Sequence, residues 1–187
     1  MGILIKKLSE GCCEHLEKRD DKIYLDEYKK KNEQYASKAS IDHLIECKDK
    51  YILIEEKSFI LDYLRLAGKE IKEVFQPING EIKDEFLDKL KNLNRDKKEK
   101  IGYKSAFDMI LSFFDKIKDT MVLLYDDDKF KNEKIKDAKI VYLYCKPKGF
   151  FLQLKIFDII FNKKFVKQKI KIVECSGFPK FLKENCS

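Results

Sequence analysis

The chain has 187 residues, 44% of them hydrophobic and 12% aromatic, a composition that can bury a core and excludes an intrinsically disordered chain. Charged residues make up 39% and the formal net charge is +7, carried almost wholly by Lys, with Arg only at positions 19, 65 and 95. Such a surface is compatible with a polyanionic partner and equally with a Lys- and Ile-rich proteome, since acids are interspersed and there is no long basic block. In chain order, Ile3, Leu4, Leu8, Cys12 and Leu16 recur at roughly helical spacing and predict a first helix over 3–18. Lys22–Lys31, with Ile23, Tyr24, Leu25 and Tyr28, fits a strand or a helix and leans to a strand. Ser40–Cys47 and Tyr51–Glu56 predict two strands joined across Lys48-Asp49-Lys50. Phe59–Phe75 predicts a helix, Gln76–Gly80 a turn, Glu81–Leu93 a polar helix with a thin apolar stripe, and Asn94–Lys100 a charged linker. Ser105–Ile117 carries Phe107, Ile110, Leu111, Phe113, Phe114 and Ile117 at intervals of three and four, the mark of an amphipathic helix. Met121–Tyr125 predicts a strand and Asp126–Asp137 a charged loop. Ile140–Cys145, Phe150–Ile160 and Phe165–Cys175 predict three further strands, the first two joined by a turn at Lys146–Gly149.

These elements point to an α/β (α+β) fold in a single domain, with a mixed sheet built around the hairpin 40–57. Helices near 3–18 and 104–118 pack on it, 59–100 forms a helical insertion, and strands from 121–175 extend the sheet. Six Cys lack any C-x-x-C pair and His occurs only at 15 and 43, so zinc-ligand spacing is absent. The start Met1–Lys7 lacks a long apolar region, and the longest apolar stretch, Gly149–Phe161, is cut by Gln153, Lys155 and Asp158. The expectation is a cytoplasmic protein with reduced thiols and no membrane association.

Chemistry concentrates in the hairpin. Asp42 interrupts its first strand, and Glu55, Glu56 and Lys57 close its second. Side chains alternate along a strand, so Glu55 and Lys57 share a face and Glu56 takes the other. Antiparallel pairing can then bring Asp42 beside Glu55. Two carboxylates give the hard oxygens that Mg²⁺ or Mn²⁺ prefers, with the backbone carbonyl of Glu56 as a third donor. Lys57 can orient or deprotonate a water, or stabilise developing phosphorane charge. The alternative is that Glu55–Lys57 are the wet end of an edge strand. Elsewhere, His43 reads as a satisfied buried histidine, Asp126-Asp127-Asp128 as a solvated loop, and Cys12-Cys13 as packing residues.

Asp42, twelve residues, then Glu55-x-Lys57, set within helix–strand–strand–strand, resembles the PD-(D/E)xK nuclease superfamily, which includes archaeal-type Holliday junction resolvases and many restriction endonucleases. The resemblance covers residues 3–60, about a third of the chain. It implies a restriction-endonuclease-like mixed sheet and a Mg²⁺- or Mn²⁺-dependent deoxyribonuclease. Asp42 and Glu55 become metal ligands and Lys57 the catalytic lysine, with Glu10, Glu14 or Glu17 joining from the first helix. It also implies a DNA partner held through Lys–phosphate contacts. Resolvase-like members are commonly dimers, so a homodimer is among the arrangements implied, although no self-complementary surface can be read from the residues. The chain departs from the pattern where Ile41 stands in place of Pro and where Gly80 follows four residues after Gln76, which breaks the Gln-x-x-x-Tyr motif of the RecB-like branch. The competing expectation is a noncatalytic module that binds nucleic acid or protein.

Overall fold

A computed structural model describes residues 3–4, 13–56, 59–73, 81–82, 84–144 and 170–186. In order these form β1 (Ile3–Leu4), α1 (Glu14–Glu17), β2 (Lys22–Tyr24), α2 (Leu25–Lys30), β3 (His43–Glu46), β4 (Tyr51–Glu56), α3 (Phe59–Glu70), β5 (Glu81–Ile82), α4 (Asp84–Asn92), α5 (Arg95–Asp126), α6 (Asn132–Lys136), β6 (Lys139–Tyr144), β7 (Ile170–Glu174) and α7 (Phe178–Asn185). Five strands form one mixed sheet in the order β2-β3-β4-β6-β7. The three on one side run antiparallel, while β6 and β7 add in parallel with β4 and with each other. The fold is α/β, as the alternation of strands and helices predicts.

β4 is the middle strand, and all six of its residues are buried. A strand covered on both faces reads as a continuous apolar run, which explains Tyr51-Ile52-Leu53-Ile54. It also removes the edge-strand reading of Glu55 and Glu56. One face carries Leu44, Tyr51 and Leu53 against Tyr63, Leu64 and Ala67 of α3, Leu87 and Leu90 of α4, and Phe113, Leu123 and Leu124 of α5. The other carries Ile45, Ile52, Ile54, Val141 and Leu143 against Leu16 of α1 and Phe178, Phe181 and Leu182 of α7. The crossover from β4 to β6 runs through α3–α6, as a parallel connection requires.

Several elements differ from the sequence expectation. Ile3–Leu4 is not helical but pairs antiparallel with Glu81–Ile82. Lys22–Lys31 is both things expected of it, three strand residues followed by a six-residue helix. α5 absorbs both the charged linker before it and the strand predicted at Met121–Tyr125. Asn94 starts it by accepting the Lys97 N–H at 2.9 Å. Met121-Val122-Leu123-Leu124 imitates a buried strand because its apolar residues are consecutive, yet Phe113, Ile117, Thr120 and Leu124 continue the same helical stripe. A short helix stands inside the predicted 126–137 loop, and α7 was not anticipated. The predicted strand Phe150–Ile160 and the turns at 76–80 and 146–149 lie outside the described residues. Among the described residues no helix is long and apolar enough to cross a membrane.

The expectation of reduced thiols is corrected: Cys47, just past β3, is bonded to Cys186, just past α7, with Cα atoms 5.0 Å apart. Packing of α7 on the second face of the sheet brings together two residues 139 positions apart, and spacing gives no sign of that.

Candidate functional site

β3 and β4 pair with His43 opposite Ile54, so the next step along the ribbon sets Asp42 opposite Glu55. Directly opposed residues share a face. Both carboxylates turn to the face covered by α5, and there they meet Lys116. Its Nζ donates to Asp42 Oδ1 at 3.0 Å and to Glu55 Oε1 and Oε2 at 2.7 and 3.0 Å. One cation therefore touches both groups, and the two acids come within reach of a single ion. The Glu55 side chain is 1% exposed, while Asp42 and Lys116 are 19% and 21% exposed. The site is thus closed at the glutamate and open to solvent at the aspartate.

Its surroundings hold it rigid. Asp42 Oδ2 accepts the Glu56 N–H at 2.9 Å, and the Asp42 carbonyl accepts the Leu25 N–H at 3.1 Å. α5 fixes the approach to β3 with one face: Thr120 Oγ1 accepts the Ile41 N–H at 2.9 Å, and Asp119 Oδ2 accepts the Ala39 N–H at 3.0 Å. Lys116, Asp119 and Thr120 follow the three- and four-residue spacing of neighbours on a helix surface. Asp26 closes the near side, accepting from Ser40 Oγ at 2.6 Å and from Lys29 Nζ at 2.8 Å. Burial alone would push the Lys116 ammonium toward deprotonation. The adjacent carboxylates of Glu55 and Asp42 overcome that and hold its pKa above the ordinary lysine range. Asp26 runs the same contest in mirror image: burial opposes its charge, but Lys29, Ser40 and the nearby Lys116 draw its pKa below the usual aspartate value.

Of the residues expected at the site, Asp42 and Glu55 are brought together. Glu56 keeps only its backbone there. Its carboxylate points to the opposite face, where Oε1 accepts the Cys13 N–H at 2.8 Å and Oε2 lies 3.5 Å from His43 Nε2. That face also holds α1, so Glu14 does not join Asp42 and Glu55. Its side chain is 84% exposed and pairs with Lys18. Glu17 lies in the same short helix, and Lys57 and Glu10 fall outside the described residues. His43 is buried as expected, but its Nδ1 has no hydrogen-bond partner among the described residues. In the acidic run, Asp127 accepts from the Tyr28 hydroxyl and from the Lys129 N–H, which is loop structure rather than ion binding.

Lys116 escaped the sequence reading because a lysine beside a Phe-rich stripe looks like a solvated flank. The available signal was Thr120, a polar residue inside that stripe, which marks where the helix touches backbone instead of side chains. Among the described residues no group of three or more His, Cys, Asp or Glu is arranged to hold an ion. No family model, no curated protein and no solved structure matches this chain.

Proposed function

We propose that the protein is a Mg²⁺- or Mn²⁺-dependent nuclease that hydrolyses DNA phosphodiester bonds at Asp42 and Glu55, as the likeness to PD-(D/E)xK nucleases implies. One observation carries the reading: on the central strands of the sheet, both carboxylates already converge on a single cation, Lys116 Nζ. Mg²⁺ is typically held by one or two protein carboxylates, its shell completed by water and substrate phosphate, so a two-acid site suffices. When bound, the ion supplies Lewis acidity and a water of lowered pKa.

The chain's own residues do the rest. Asp42 and Glu55 would hold the ion, with Asp42 kept in place by the Glu56 N–H. Without an ion, Lys116 keeps the two like charges together. Were an ion to take that place, the long Lys116 stem would leave the ammonium free to offer positive charge to a phosphate. Lys57, two residues beyond Glu55 in the sequence, is the assisting lysine that the likeness implies. By the same likeness, Lys side chains would hold the DNA backbone without reading sequence, and the reading puts the protein in the cytoplasm.

A second reading has its own support. Lys116 already satisfies both acids, so the triad can serve the fold alone, in a noncatalytic binding module. Nicking of supercoiled plasmid in Mn²⁺ separates the two. Wild type should relax the plasmid, and Asp42→Asn, Glu55→Gln and Lys57→Ala should each lose that activity while still melting cooperatively. Equal nicking by wild type and Glu55→Gln would leave only the module.

A further inference from the structure

The hairpin has a second working end. Where β3 runs out, Cys47 and its disulfide partner Cys186 form part of the wall of a cleft of about 550 Å³ between α1, the β3–β4 turn and α7. Phe178 and Leu182 line the same cleft with apolar surface. Three cations border it, Arg19, Lys48 and Lys183, against two acids, Asp21 and Glu46. Asp21 is taken up by Arg19, and Glu46 is bound from outside the cleft by Lys134 at 2.6 Å. With Arg19 and Asp21 paired and Glu46 bound by Lys134, Lys48 tips the balance facing a visitor to positive. Cys47 is 4% exposed, whereas Cys186, beyond the last turn of α7, is more open. Lys134 also donates to the Cys47 carbonyl at 2.7 Å, which sets an ammonium close to that residue.

We propose that this cleft is a thiolation site for an anionic low-molecular-weight thiol. The thiolate of the visitor attacks Sγ of Cys186, the more exposed residue of the pair. A visitor–sulfur bond to Cys186 forms, the Cys47–Cys186 bond breaks, and its electron pair leaves on Cys47 Sγ as a thiolate. No other oxidant or reductant enters, since the disulfide supplies the oxidising equivalent and the visitor the reducing one. Nearby ammonium groups favour both the approach of an anion and the departing Cys47 thiolate. The site is separate from the carboxylate pair. Asp42 and Cys47 lie five residues apart along an extended strand, roughly 17 Å, and their side chains leave opposite faces of the sheet.

The test uses air-oxidised full-length protein treated with three thiols: glutathione, 3-mercaptopropionate and the cationic cysteamine. Acid quenching, alkylation with N-ethylmaleimide and peptide mapping locate the adduct and the freed thiol. The expected products are a mixed disulfide on Cys186 and alkylated Cys47. Per unit of thiolate, 3-mercaptopropionate should react about fivefold faster than cysteamine at low salt, with the ratio falling toward one at high salt. A double variant, Lys48→Glu with Lys183→Glu, both exposed positions, should reverse the preference. Adducts forming first on Cys13 or Cys175, equal rates for the two thiols in wild type, or unpaired Cys47 and Cys186 in the oxidised protein would each overturn the proposal.

Discussion

Replacing Lys116 by Met tests the physics of the site before its chemistry. Met keeps most of the stem and removes the ammonium that both acids share. Glu55, 1% exposed, is then left with an uncompensated charge beside a second carboxylate. Breaking a buried ion pair by removing one partner costs about 3–5 kcal/mol. Asp42 and Lys116 are about one-fifth exposed, so water reaches part of the site and the lower end applies, about 3 kcal/mol. Urea denaturation at pH 7 should show that loss as a lower midpoint with an unchanged m-value. If the acids hold a divalent ion, the same variant should bind it better than wild type, because no ammonium competes. Saturation at a hundredfold over Kd returns about 2.7 kcal/mol. A loss below about 0.5 kcal/mol would mean that the triad is screened like a surface pair and that the burial argument fails. A full loss that Mn²⁺ does not repair would leave the triad intact as structure and remove it as an ion site.

Thr120→Val should cost about 1–3 kcal/mol in denaturant melts, since it leaves the Ile41 N–H without its buried acceptor. Reducing Cys47–Cys186 should lower stability by about 2–4 kcal/mol, and Cys186→Ser should reproduce that loss without reductant. Tyr28 and Tyr63 should ionise late in absorbance titrations, near 12. Burial raises both, and Asp127 beside the Tyr28 hydroxyl adds to it. Above pH 10 the unfolded chain releases those protons while the folded one keeps them, so stability should fall between pH 10 and 12. Tyr28→Phe should weaken that slope. Lys72 holds a left-handed φ of 57° just past α3, and Lys72→Gly should raise the melting temperature by relieving up to about 1 kcal/mol of strain.

What the sequence discloses depends on whether its cause is local. The β3–β4 hairpin is legible because alternation, a polar turn and β-branched runs coincide within twenty residues, and they place Asp42 beside Glu55 correctly. The alternative of a wet strand end for Glu55 and Glu56 rests on a local rule, that charge at a strand end is usually wet. Their burial depends on β6, which pairs from far down the chain. Lys116 is invisible for the same reason: its partners lie 61 and 74 residues away. α5 is legible in its middle and not at its ends, because a charged first turn resembles a linker and a Met-Val-Leu-Leu run satisfies either period. Of the first-helix glutamates, Glu14 is kept from the pair by geometry, since α1 packs on the face that Glu56 occupies.

A crystal soaked in MnCl₂ and measured at the manganese absorption edge puts the central claim to its most direct test. The account predicts one anomalous peak in contact with Asp42 and Glu55 carboxylate oxygens, with Lys116 Nζ moved out of the position it now shares between them. Lys116 still bridging both acids at saturating Mn²⁺, with no peak beside them, would contradict it.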